Sequence, residues 1–172
     1  MIPFELTESA LHEPWRLWTG HLAHWSLDHA AVNLGACLLP LAFLPSGIRR
    51  QLVRALLWML PLGSVLLLPF LAGRPYRGAS ELACLLWVAA AFPLARSSRW
   101  PEAAVFGGGA LVKSTLEASG GIHPLAPALG WEGLPMAHVT GAVLGLAWGL
   151  HWWVRSSPCP PSSSPEEPSP TA

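Results

Sequence analysis

The chain has 172 residues, 52% of them hydrophobic and only 12% charged, with a mean hydropathy of +0.41. An ordinary soluble domain carries about 25% charged residues, so the composition argues for one membrane domain instead. Net charge is zero, which leaves no basic face and argues against nucleic acid as a partner.

The opening, MIPFELTESALHEP, is acidic and lacks the basic start and apolar centre of a signal peptide. Residues 1–14 therefore read as an N-terminal segment, 15–155 as the membrane domain, and 156–172 as a disordered Pro/Ser-rich tail. Next comes WRLWTGHLAHWSLDHAAVNL, Trp15 to Leu34, which carries three histidines and an asparagine straight into an apolar run. Hydrocarbon penalises polar groups, so such a cluster at a membrane helix end is a functional candidate. A span needs about 20 mostly apolar residues. Five segments meet or approach this: His29–Leu44, Ala55–Gly73, Ser80–Ala95, Pro101–Leu116 (interrupted by Lys113) and Leu134–Val154. Prolines 40, 61, 69 and 93 fall in or at the ends of these runs, as membrane helices allow. The expected fold is all-α, a polytopic membrane helix bundle of five spans in a lipid bilayer. Cys37 and Cys84 read as packing residues. With Cys159 they form no metal spacing, and no cofactor or metal is expected.

Basic residues in short loops set the orientation. Arg49, Arg50 and Arg54 follow the first segment, Arg96 and Arg99 follow the third, and Arg155 follows the fifth. Five crossings put all of these on one side, which is then cytoplasmic and holds the C-terminus. The other side receives the N-terminal stretch, the loop with Arg74 and Arg77, and the loop from Gly120 to Gly133. The first, third and fifth segments then all start at the outer face. His29 and Asn33, Ser80, and His138 therefore lie at one membrane depth.

A serine hydroxyl needs a base to become a nucleophile, and the imidazole of His138 titrates in the right range. Attack on a peptide carbonyl builds an oxyanion. His29 and Asn33, spaced i, i+4 on one helix face, can donate to it, as can the backbone N–H of Ser80. Gly78 permits close backbone approach just before that serine. Each residue also has a plainer reading. Ser80 is equally a good helix N-cap, and His138 taken alone reads more readily as a satisfied buried histidine than as a base. Ala137, Gly141, Gly145 and Gly149 form a stripe of small residues that lets two helices approach closely. Lys113 and Glu117 read as a structural i, i+4 ion pair. Trp58, Trp100, Trp152 and Trp153 read as interfacial anchors. His123 and His151 receive no role.

These residues resemble the rhomboid family of intramembrane serine proteases. Trp15-Arg16, His24, and His29 with Asn33 match its first outer loop and the helix that follows. Gly78-Ala79-Ser80 matches its Gly-x-Ser motif, and Ala137-His138 with Gly141 and Gly145 matches its base-bearing helix. The similarity covers about residues 15–150. It implies a serine endopeptidase with Ser80 and His138 as catalytic dyad, His29, Asn33 and Ser80 around the oxyanion, and Gly78 at the substrate. Trp15, Arg16, His24, Gly141 and Gly145 become structural. Within the family the chain is most similar to rhombosortases, on its compact size, WRLWTGHLAH, Lys113-x-x-x-Glu117 and AHxxGAxxG. That implies a bacterial inner-membrane protease whose partners are transmembrane substrates bearing a C-terminal sorting tail.

Three departures stand out. Glu81 replaces the glycine that usually follows the nucleophile, which sets a charge beside the hydroxyl and threatens helix packing. Cys84 stands where an aromatic or histidine supports the base. The family's usual first span is missing, since fourteen residues precede Trp15. Either the chain starts further upstream or five helices suffice. The departures keep open a non-cleaving relative that binds transmembrane segments. A transporter or channel component using His21, His24 and His29 for protons or metal is a third reading, but their spacing does not put all three on one helix face.

Overall fold

The computed structural model describes residues 4–119 and 133–156. The tail beyond Ser156 and most of the Gly120–Gly133 loop, with His123 and Cys159, lie outside the described residues.

The described residues are helical. A short α1 (Arg16–Thr19) is followed by α2 (Leu27–Phe43), α3 (Ser46–Leu67) and α4 (Ser80–Arg96). A fifth rod is built from α5 (Trp100–Ala103), a π-helical stretch (Ala104–Gly108) and α6 (Gly109–Ala118), and α7 (Pro135–Arg155) comes last. Each long helix falls on one of the expected apolar segments. The second begins earlier than its apolar run and takes Arg49, Arg50 and Arg54 into its first turns. Arginine is a good helix former, so charge ends a hydropathic run without ending a helix. Local chemistry marks the starts. The Ser26 hydroxyl accepts from His29 N at 3.3 Å and caps α2. Prolines 101 and 135 sit in first turns, where a missing N–H costs little.

α4 is the central helix. Leu85, Leu86, Ala89, Ala90 and Leu94 on one half of it, and Cys84 and Val88 on the other, are all buried, so it is surrounded on every side. Its main partner is α7, packed through the small-residue stripe. A Cβ on Gly141 would fall 2.2 Å from the Glu81 carbonyl oxygen, and one on Gly145 2.5 Å from that of Leu85. One on Gly149 would strike the Phe92 ring. The contacts climb both helices together, so α4 and α7 run parallel. α2 runs the same way. Its first turns meet Gly78, and its last residues meet the far end of α4, where Arg99 Nη1 donates to Phe43 O at 3.1 Å. At that far end Arg96 also reaches across to α7, donating to Ser156 O at 2.8 Å. Cations thus collect where helix C-termini present unpaired carbonyls.

One helical stretch among the described residues, Ser46–Phe70, is long and apolar enough to cross a membrane, with a mean hydropathy of 1.8 over an 18-residue window within it. α2 is apolar but shorter. Trp100, Trp152 and Trp153 sit at helix ends, whereas Trp58 falls near the middle of α3.

Residues 4–14 pack down onto the chain ahead of α4. Leu6 and Tyr76 form an antiparallel bridge with backbone hydrogen bonds of 3.0 and 2.9 Å. Leu6, Ala10, Leu67, Leu71, Tyr76 and Ala137 close a small core around it. The buried Glu5 carboxylate takes Arg77 Nη2 at 2.6 Å, and that guanidinium lies 4.3 Å from the Trp25 ring.

Candidate active site

The starts of α2, α4 and α7 meet at one end of the bundle. Gly78 lies where its φ is +128°, a conformation open to glycine and strained for L side chains. A Cβ there would sit 2.9 Å from His29 Cε1 and 3.5 Å from Asn33 Nδ2. The shared face of His29 and Asn33 is thus laid against the backbone leading into Ser80. Asn33 is buried, and its Nδ2 has no hydrogen-bond partner among the described residues. An unpaired amide donor in dry surroundings is costly, and a ligand oxygen would relieve it.

Ser80 is the first residue of α4, and the cap position belongs to Ala79. The N-cap reading of Ser80 is therefore corrected: its side chain makes no cap bond. Instead Ser80 Oγ lies 3.4 Å from Tyr76 Oη, which also accepts from Glu81 N at 3.2 Å. Tyr76 is the chain's one tyrosine and is buried. Burial raises its phenol well above the ordinary range, so it stays a neutral hydroxyl.

His138 is buried one turn ahead of Gly141, which brings it level with the start of α4. Its ring is held from α6. Nδ1 pairs with Glu117 Oε2, and Nε2 lies 3.3 Å from Lys113 Nζ. Lys113 and Glu117 also pair directly, so the expected i, i+4 ion pair is present and extends to the histidine. The Ser114 hydroxyl lies 3.3 Å from the His138 carbonyl and ties the two helices at this level.

Of the structural residues, Trp15 is half exposed, while Arg16 is buried. The Arg16 guanidinium donates to Glu13 Oε2 at 2.5 Å and to Glu5 O at 2.9 Å. His24 Nδ1 bonds Leu22 O at 2.9 Å, and its ring meets that of His29 edge to face at 5.2 Å. His21 goes elsewhere: its Nε2 lies 3.1 Å from Ser64 Oγ and 3.9 Å from Glu81 Oε2. The expected interference of Glu81 with helix packing is a second correction. Its carboxylate turns toward α3, where a Cβ on Gly63 would fall 2.0 Å from Oε1. Its backbone carbonyl packs on Gly141 of α7, and its carboxyl also reaches the Thr140 hydroxyl of that helix. Cys84 packs under Gly141, with Sγ 3.9 Å from Ser114 Oγ.

Sequence reasoning missed Tyr76, Gly63 and the tie between Glu117 and His138. Tyr76 did carry a signal, at i−4 from Ser80, although no helix joins them there. No family model, curated protein or solved structure matches the chain.

Proposed function

We propose that this chain is a rhomboid-type intramembrane serine endopeptidase, with Ser80 as nucleophile and His138 as base. The observation that carries the reading is the convergence of His29 and Asn33 on Gly78, beside Ser80 and level with His138. The outside of the bundle supports a membrane setting. Leu34, Leu38, Leu57, Leu62, Val112 and Leu150 are about half exposed or more, while Asn33, Glu81, Glu117 and His138 are buried. Apolar exteriors of that extent mark contact with other molecules, and lipid fits an apolar face on α2, α3, α6 and α7 together. In this reading all five long rods span a bacterial inner membrane, with the arginine-rich end in the cytoplasm.

His138 Nε2 takes the Ser80 hydroxyl proton as Oγ bonds the scissile carbonyl carbon. The carbonyl electron pair moves to oxygen, where Asn33 Nδ2, His29 and the Ser80 N–H supply donors worth roughly 10²–10³-fold each. The same proton passes to the departing amine as the C–N bond breaks. Water then hydrolyses the acyl-enzyme by the reverse order of transfers. The substrates of this reading are membrane-anchored surface or secreted proteins with a C-terminal sorting tail.

A fluorophosphonate probe tests this on detergent-solubilised protein. Labelling is expected, and Ser80→Ala and His138→Ala are each expected to abolish it. Labelling that survives Ser80→Ala would refute the assignment. The second reading, a non-cleaving relative that binds transmembrane segments, draws on the 3.4 Å contact of Ser80 with Tyr76 and on Glu81 beside the hydroxyl. Absence of labelling in the unmodified chain selects it.

A further inference from the structure

The following rests on the protease reading and deepens it. His138 is held between partners of opposite hydrogen-bonding capacity. An ammonium only donates, and an ionised carboxylate only accepts. Nε2 faces the Lys113 ammonium at 3.3 Å, so it presents a lone pair. Nδ1 pairs with Glu117 Oε2, so it carries the ring proton. Lys113 is itself tied to the other Glu117 oxygen, which keeps that carboxylate ionised by pairing its charge. The imidazole is thereby fixed in one of its two neutral tautomers. It is the tautomer a base for Ser80 requires, with the lone pair on Nε2.

We infer that Glu117 is a positioning residue of the Ser80–His138 pair, so that the site works as a Ser–His–Glu triad with the acid supplied from α6. Glu117 and His138 are each 4% exposed, so their pairing is little screened by water. When the Ser80 proton arrives on Nε2, the ring becomes an imidazolium with Nδ1–H still on Glu117, and the buried carboxylate stabilises the new charge. The proton then leaves from Nε2 to the departing amine, while Glu117 remains ionised throughout. Lys113 marks the place of Nε2 in the resting site. Its side chain is 49% exposed on a flexible stem, so it can turn to solvent when the hydroxyl engages. The other ionisable side chains near this end are Glu81, Cys84 and Tyr76, from α4 and the loop before it, His29 from α2, and His21 and His24 from the loop before α2. Glu81 sets its carboxyl between Gly63 of α3 and Thr140 of α7.

The test uses the full chain in detergent. The Glu117→Gln variant keeps shape and loses charge. It is expected to label with fluorophosphonate roughly 10²–10⁴-fold more slowly, with an acid limb of the rate profile displaced from that of the unmodified protein. Labelling at the unmodified rate, with an unmoved acid limb, overturns the proposal and leaves the protease reading intact. A second measurement does not depend on that variant folding. In ¹⁵N-histidine-labelled protein, with the resonance assigned through His138→Ala, neutral His138 is expected to carry its proton on Nδ1. A proton on Nε2 overturns the proposal. Absence of labelling in the unmodified chain instead defeats the protease reading, and the triad with it.

Discussion

At the scale of single residues, the site end of the bundle holds several polar groups in dry places, among them Asn33, Glu81 and His138. Gly78 keeps the backbone close enough to His29 and Asn33 that any side chain there would collide. His21 is the most consequential buried ionisable group outside the helices. Burial lowers its pKa from 6.5 to about 4, opposed by a backbone hydrogen bond at Leu60. The sign follows from linkage: below about pH 6.5 the unfolded chain takes up a proton that the folded chain refuses until about pH 4. Stability should therefore fall as pH drops through that window, by about 3 kcal/mol in all. Thermal midpoints of the solubilised protein across that range check this. A His21→Asn variant should lose this part of the slope, and an equal slope in both proteins would assign the effect to other groups.

At the scale of helices, the α4–α7 pair is the element that places Ser80 and His138 at one level. The small-residue stripe on α7 was legible in the sequence, and so was the polar face of α2. The rotation of each helix about its axis was not. Rotation decides that Glu81 sets its backbone carbonyl against Gly141 of α7 and its carboxyl in the space left at Gly63 of α3. That choice answers to Gly63, a residue 18 positions earlier whose missing side chain makes the space. Glycines of the two kinds should behave oppositely. Gly141→Ala forces a Cβ into the Glu81 carbonyl and should cost about 1–3 kcal/mol, with loss of probe labelling. Gly35 in α2 has nothing within 4 Å of its added Cβ, so Gly35→Ala should stabilise by about 0.4–1 kcal/mol. Paired thermal melts read both. Equal effects would remove the case for close α4–α7 packing.

At the scale of the whole molecule, the arrangement is polar within and apolar without at its site end. In water such an exterior would drive association, whereas in a bilayer it is the expected surface. Leu62, on α3, is 50% exposed and lies within the stretch long enough to span. Leu62→Lys should cost about 2.5–3.5 kcal/mol of membrane insertion, read as the fraction inserted into vesicles. A change within about 0.5 kcal/mol, typical of a water-exposed site, would place that face in solvent and refute the span.

The sequence made the long helices legible, apart from the start of α3 at Ser46, because apolar runs, the Ser26 cap and the first-turn prolines 101 and 135 act within a few residues of chain. It also determined that His29 and Asn33 share a face, because helical periodicity is local. Only the tertiary structure decided what each polar group touches. Glu117 could be read as the partner of Lys113, four residues away, but not of His138, which comes from another helix. Ser80 could be read as a cap, until packing gave it Tyr76 instead. Such contacts join residues far apart in the chain, and they depend on the register and rotation of packed helices. Those are set by where side chains are absent, at Gly63, Gly78, Gly141 and Gly145, as much as by where they are present.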